Sequence, residues 1–393
     1  LAAYPAAAGY AFARLRSGAP ARDAMLAAGL WLLVEWLRGW LFTGFPWLAL
    51  GYSQSPPSPL AGFAPVLGVY GVTLVVALVA ALAALRTRRA LLFVLVLAGT
   101  GFVLRSVPWS QPVGAPLHVA LLQGDIPQGI KWDPQRAVQS LQTYAALAQR
   151  HPADLTVLPE TAIPLFFDET PRRFLEDITR HGPVVAGVPV RRQGSGDTAY
   201  TNAAVAIVRR GDDFSAQAYA KRHLVPFGEY VPPGFGWFFN FVSIPMSDFS
   251  PGPPIQPPLE VAGQKIAPTV CYEDLFGEEL IRALPAATLL VNLSNTAWFG
   301  DSLAQPQHLQ ISRMRALETA RPMLRATNTG MTAAIGPDGT VAAVLQPFSP
   351  GALDVQVQGY QGVTPYMRYG NTGAVVLALA ACLPALMRRK MRR

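Results

Sequence analysis

From Phe63 to Leu85 the chain runs without one charged side chain. At about 1.5 Å of rise per residue, a helix of that length crosses the roughly 30 Å hydrocarbon core of a bilayer. Three further apolar runs, about Ala24 to Phe42, Ala90 to Val107 and Thr372 to Met387, are shorter and span only if Arg89, Arg105 and Arg388 snorkel toward water. A composition of 51% hydrophobic and 14% charged residues fits a chain partly solvated by lipid. Glu35 and Arg38 stand one turn apart in the first run, where an ion pair between them is expected.

The net charge of +8 does not point to nucleic acid, because the arginines border apolar runs instead of studding an aromatic-rich basic face. Arg14, Arg16 and Arg22 precede the first run, and Arg86, Arg88 and Arg89 join the second to the third. The positive-inside rule puts both clusters in the cytoplasm, and alternation adds the tail at 389–393. Residues from about 108 to 370 are then expected across the membrane. The chain starts at Leu1 without Met, so the reading expects it to be the later part of a longer one.

Between the third and fourth runs the pattern changes to short, nearly continuous apolar segments that read as strands covered on both faces: LHVALLQ (117–123), LTVLP (155–159), VVAGVPV (184–190), AAVAIV (203–208), KIAPTV (265–270) and TLLVNLS (288–294). Helical spacing predicts helices from Pro134 to Arg150, Pro171 to His181, Gly277 to Leu284 and Ala304 to Ala320. Pro337-Asp338-Gly339 predicts a turn before a late strand. The expected layout is helical membrane segments in 1–110, a globular α/β domain over 115–362 and a last membrane helix at 370–388. An aromatic segment at about 232–249, with Phe235, Trp237, Phe238, Phe239, Phe241 and Phe249, reads either as an arm lying on the bilayer or as a loop over the core.

Polar residues follow three of the apolar segments: Glu160 after LTVLP, Lys221 after QAYA and Cys271 after IAPTV. Strand ends are where α/β sites gather. A thiol is mostly protonated at neutral pH, so a nucleophilic cysteine needs a base or a nearby cation. Glu160 suits the first task, and the Lys221 ammonium suits a developing oxyanion. The only other cysteine, Cys382, lies in an apolar run, which makes a disulfide improbable. The five histidines show no HExxH pattern, so neither metal nor cofactor is expected. A Cys-His arrangement through His223 is weaker, because His223 shares one short segment with Lys221.

The order LPE, a lysine segment and CYE resembles the Glu-Lys-Cys triad of the nitrilase superfamily. The fuller strings PQGIKWDP, LPETAIP, KRHLVPFGEYVP, SPGPPIQPP, VCYEDLFGE and NTAWFG, set in a membrane frame, resemble the bacterial apolipoprotein N-acyltransferase family across the whole chain. That resemblance implies an αββα sandwich facing the periplasm on a helical domain in the inner membrane. It implies Glu160 as base, Lys221 as oxyanion partner and Cys271 as acylated thiol, with Glu229, Tyr272 and Glu273 in support. Trp132, Trp237, Asn295 and Trp298 are expected to line the substrate path. The implied partners are a glycerophospholipid donor and the amino group of a diacylglyceryl-cysteine acceptor, joined by a two-step acyl transfer. Hydrolysis by a membrane-tethered amidase or nitrile hydrolase, and a non-catalytic lipid-binding component of lipoprotein export, are the alternatives.

Overall fold

A computed structural model describes residues 1–127, 134–192, 199–232, 234–235, 237 and 248–390. It opens with helices α1 (Ala3–Leu15), α2 (Pro20–Arg38), α3 (Ala64–Ala84) and α4 (Arg88–Arg105). Pro20 occupies the first turn of α2, where its missing N–H costs nothing, and Asp23 accepts from the backbone of Ser17 (2.7 Å) and Gly18 (2.9 Å) just ahead of it. Thr87 caps α4 by accepting from Ala90 N at 3.2 Å.

Among the described residues, the helical stretch Pro59–Ala84 is long and apolar enough to cross a membrane. It breaks at Gly68, whose φ of +68° and whose approach to Tyr366 leave no room for a side chain: a Cβ there would lie 2.3 Å from the tyrosine ring. The break frees the next N–H, and Glu318 accepts from Val69 N at 2.6 Å. The first apolar run ends as helix at Arg38, and short 3₁₀ turns fill much of 41–63 where the run had been expected to continue to Phe42. The expected Glu35–Arg38 pair does not form. Glu35 accepts instead from Leu50 N (3.0 Å), Thr73 Oγ1 (3.0 Å) and Trp31 Nε1 (3.0 Å), because the chain folds back and brings the Leu50 backbone donor to it. The outward faces of α4 (Leu91, Leu92, Phe93, Phe102) and of the last helix (Val376, Leu377, Leu379) are exposed.

The middle of the chain contributes, in order, β1 (Ser110–Gln123), α5 (Pro134–Arg150), β2 (Leu155–Val157), α6 (Arg172–Ile178), β3 (Val184–Arg191), β4 (Tyr200–Arg210) and β5 (Asp213–Ala220). β6 (Leu259–Val261), β7 (Gln264–Val270), α7 (Gly277–Leu280), β8 (Leu289–Ser294), α8 (Ala304–Thr319), β9 (Met323–Thr327), β10 (Ala333–Ile335), β11 (Val341–Val344) and β12 (Gly351–Gly362) follow, before α9 (Pro365–Tyr369) and α10 (Thr372–Lys390). The strands form two six-stranded sheets, ordered β12-β1-β2-β3-β4-β5 and β11-β10-β9-β8-β7-β6. In each, parallel central pairs (β1 with β2, β2 with β3; β7 with β8, β8 with β9) pass into antiparallel margins.

Side-chain alternation decides what each sheet face touches. In β1, Val119 and Leu121 point into the seam between the sheets, where they join Val157, Val270, Val291 and Leu324. Ala120 and Leu122 of the same strand pack outward against Leu141 and Tyr144 of α5 and Phe174 and Leu175 of α6. On the far side, Leu309 and Ala316 of α8 cover Leu290 and Met323, and the opposite face of that helix (Ile311, Met314, Leu317) packs on Val69, Val72 and Val75 of α3. The layers therefore run helix, sheet, sheet, helix, and α8 is shared with the N-terminal helices.

All six strands read as continuous apolar segments are present, and α5 has the bounds its spacing predicts. β9 was not expected, because Arg325 interrupts its apolar run, and neither was β12, a strand at the sheet margin with alternating polar residues.

Candidate active site

Glu160 follows β2 at the edge of the first sheet and is 8% exposed. It can sit there only because β3 carries Gly187: a Cβ at that position would stand 2.5 Å from Glu160 Cα. Lys221 follows β5 and is 1% exposed. Its Nζ lies 2.8 Å from Glu229 Oε2 and 3.6 Å from Glu160 Oε1. Asn202, inside β4, bridges the two acids with one amide, donating to Glu160 Oε1 at 2.9 Å and to Glu229 Oε1 at 2.8 Å. Glu229 also accepts from Val225 N at 2.9 Å, which closes the turn that carries it.

The second sheet brings the thiol. Cys271 directly follows β7 and begins a 3₁₀ turn (Cys271–Leu275) with a left-handed φ of 53°, a conformation that a residue with a side chain adopts only when its surroundings hold it. The Asn295 backbone N–H, at the end of β8, reaches both the Cys271 thiol and Glu160 Oε2, the latter at 2.9 Å. Loss of solvation pushes the Cys271 thiol up, the Glu160 charge adds to this, and Lys221 opposes it. Desolvation alone would lower Lys221, but Glu229 and then Glu160 more than offset it, so the ammonium is held charged. The site thus contains a protonated thiol, a persistent cation and an acid within reach, which is the equipment for base-assisted thiol attack.

Glu273 stands apart from the thiol chemistry. Its Oε1 accepts from Arg222 N (2.6 Å), His223 N (3.1 Å) and Tyr219 Oη (3.0 Å), and its Oε2 from Val270 N (2.8 Å). It ties the lysine turn of one sheet to the cysteine strand of the other. Burial pushes its carboxyl up to about 7, against the pull of Lys221 and these backbone donors. Tyr272 is turned toward the N-terminal helices: it donates to Gly44 O at 2.8 Å and stacks on Phe45. His223 engages Glu279 Oε1 (3.2 Å) and Thr43 O (2.9 Å) and stacks on Phe276, so its ring nitrogens are committed away from Cys271.

Of the aromatic residues, Trp298 is 68% and Trp237 57% exposed, and neither is part of the packed core. Trp132 and most of the aromatic segment lie outside the described residues. The Asn295 side chain accepts from Asn328 Nδ2 at 3.1 Å and from Ala297 N at 3.4 Å. Asn202 and Asn328 were not singled out in the sequence, although an asparagine inside an apolar strand, as in TNAAVAIV, is a signal in itself. Among the described residues, no group of three or more His, Cys, Asp or Glu side chains is arranged to hold a metal.

Two family models match the chain: carbon-nitrogen hydrolase over residues 118–366 and apolipoprotein N-acyltransferase N-terminal domain over residues 1–82. A protein from Nitrosomonas europaea named apolipoprotein N-acyltransferase is 49% identical over 98% of this chain and 78% of its own length. The chain belongs to the apolipoprotein N-acyltransferase family. Further proteins of that name, from Chromobacterium violaceum (47% identical, 98% of this chain, 77% of the relative) and Ralstonia nicotianae (44%, 99% and 77%), belong to the same group. Among solved structures, the C. elegans NitFhit protein aligns with a TM-score of 0.49 at 16% identity, over 63% of this chain and 62% of the other. Membership makes the chain an N-acyltransferase with a carbon-nitrogen hydrolase domain, and the αββα layering described above is how that domain is built here.

Proposed function

We propose that Cys271 carries the acyl group in a two-step transfer from a glycerophospholipid to the α-amino group of a diacylglyceryl-cysteine at the N-terminus of an apolipoprotein. The observation that carries this reading is the convergence of Glu160, Lys221 and Cys271 from two different sheets onto one site. In the first half, Glu160 takes the thiol proton as sulfur attacks the ester carbonyl. Lys221 stabilises the oxyanion, the carbon–oxygen bond to glycerol breaks, and the proton passes to the departing lysophospholipid. In the second half the amine attacks the thioester, Glu160 removes its proton, and the thiol is restored as the amide forms. Glu229, with the shorter ion pair, pins Lys221 and leaves Glu160 as the base.

The acceptor distinguishes this reaction from hydrolysis by the same triad, and the names of the relatives favour the amine over water. The exposed apolar faces of α4 and α10, together with the Pro59–Ala84 stretch, support a multi-pass anchor in the inner membrane. The arginine clusters support a catalytic domain on the periplasmic side. Exposed Trp237 and Trp298 suit the acyl-chain path. Intact-protein mass after mixing with phospholipid alone is expected to rise by one acyl chain, and hydroxylamine is expected to remove it. Adding a diacylated lipopeptide then moves the chain to the peptide. A protein whose mass never changes, while Cys271→Ser retains turnover, overturns the reading.

A further inference from the structure

Beneath the nucleophile lies a buried polar cluster that the steps above do not use. Asn292, in β8, donates through Nδ2 to the Cys271 carbonyl oxygen at 3.1 Å and to Thr269 Oγ1 at 3.0 Å. Its Oδ1 accepts from Arg325 Nη1 at 2.8 Å. Arg325 also donates to Ser312 Oγ at 3.0 Å and to His308 Nδ1 at 2.8 Å, and lies 3.4 Å from Asp274 Oδ2. The two Asp274 oxygens are met by His308 Nε2 (2.8 Å) and Ser312 Oγ (2.7 Å). A guanidinium only donates, so His308 accepts on Nδ1 and carries its proton on Nε2, toward Asp274. Burying an ion pair at 0% exposure is costly unless further bonds support it, and here they reach both Asp274 oxygens and both terminal nitrogens of Arg325, leaving Arg325 Nε without a partner among the described residues. The cluster meets the reaction at the backbone of Cys271, the residue held at left-handed φ.

The cluster also has a neighbour outside its own domain. Trp47, in the loop after α2, places its ring 5.3 Å from that of His308 and donates through Nε1 to Gln307 Oε1 at 2.9 Å. The same loop offers Thr43 O to His223, two residues past the lysine, and Gly44 O to Tyr272, next to the cysteine.

We propose that the loop following α2 is a positioning element of the acyl-transfer site: Trp47 seats the His308–Asp274–Arg325 cluster, and Asn292 passes that constraint to the backbone of Cys271. The proposal rests on Cys271 being the acylated thiol. Asn292, Arg325 and Trp47 are accordingly positioning residues.

The test is a rapid-quench mass measurement of acyl-enzyme formation by the whole protein in detergent. Its probe is a mixture of dioleoyl phosphatidylethanolamine and dioleoyl phosphatidylglycerol. Asn292→Ala is expected to lower the acylation rate constant about tenfold, in line with loss of the buried hydrogen bond to the Cys271 carbonyl, and Trp47→Phe about threefold. Both keep the wild-type final acylated fraction and half-saturating lipid concentration. A purely structural role predicts the reverse, a smaller acylated fraction at an unchanged rate constant, and that result overturns the proposal. A wild-type rate in Trp47→Phe beside a slowed Asn292→Ala overturns the part assigned to the loop. Should Asn292→Ala fail to fold, Ser312→Ala removes one hydroxyl from the cluster and is judged by the same rate constant. Absence of any acyl adduct in the wild-type protein rejects the Cys271 reading itself, which separates the two failures.

Discussion

The two sheets make unlike contributions to one site. The first supplies charge: Glu160, Lys221 and Glu229 all come from its edge, gathered around the Asn202 amide. The second supplies the thiol and backbone geometry: Cys271 and the Asn295 N–H emerge from strand ends fixed by Asn292 and Arg325. Ions in the first sheet pair with each other within the site, two carboxylates sharing one ammonium, whereas the second buries its charges one layer below it. Placing the cation and base on one sheet and the nucleophile on the other makes the inter-sheet seam the element that sets their separation.

This division is open to attack from both sides. The largest effect is expected from Lys221→Met, which removes the cation that the first sheet holds between Glu160 and Glu229. Acyl-enzyme formation should fall about 10³-fold in single-turnover mass measurements. An effect below tenfold would place oxyanion stabilisation in the second sheet. Glu160→Gln should follow, with a loss of roughly 10²–10³-fold in both half-reactions, because the same carboxylate handles the proton twice. Loss in only one half would divide the acid and base roles between Glu160 and Glu229. Asn202→Ala removes the bridge while leaving the charges, and about a tenfold drop in kcat is expected.

The smallest effect concerns the tie between sheets. The Glu273 carboxyl titrates at about 7 in the folded protein against an ordinary 4.5, so the native state holds this proton more tightly than the unfolded chain. Its stabilising contribution is complete below about pH 4.5 and is lost as pH rises toward 7. The Tm of the wild type in detergent should therefore decline across that window relative to Glu273→Gln. The variant starts lower, since its amide turns a donor toward Val270 N, but it lacks the slope. Equal slopes would show that the tie between sheets does not depend on this proton.

Cys271, Lys221 and Glu160 were legible because each ends an apolar segment, and polar residues at such ends have few structural reasons to be there. Glu229 and Glu273 were legible only as company for those residues. The structure gives them separate tasks, one on the lysine and one on the loop that bears it. Asn202, Asn292 and Arg325 were not legible. A polar residue within a strand reads as outward-facing, and only the second sheet or a covering helix turns that position into an interior one. For the same reason β9 was missed and the equally buried but more apolar β8 was not. The Glu35–Arg38 expectation failed because spacing along a helix says nothing of a loop that returns to compete for the carboxylate.

The first and last strands of the catalytic domain are partners in one antiparallel ladder, from Ser110 opposite Gly362 to Gln123 opposite Gly351. The domain therefore leaves the chain where it joined it, and α4 and α9 attach to the same corner. A unit whose two ends coincide can be grafted into a host protein at a single point without redirecting the segments on either side. Such an architecture lets a hydrolase-like enzyme acquire a helical anchor by insertion alone, with the strand order of the sandwich left unchanged.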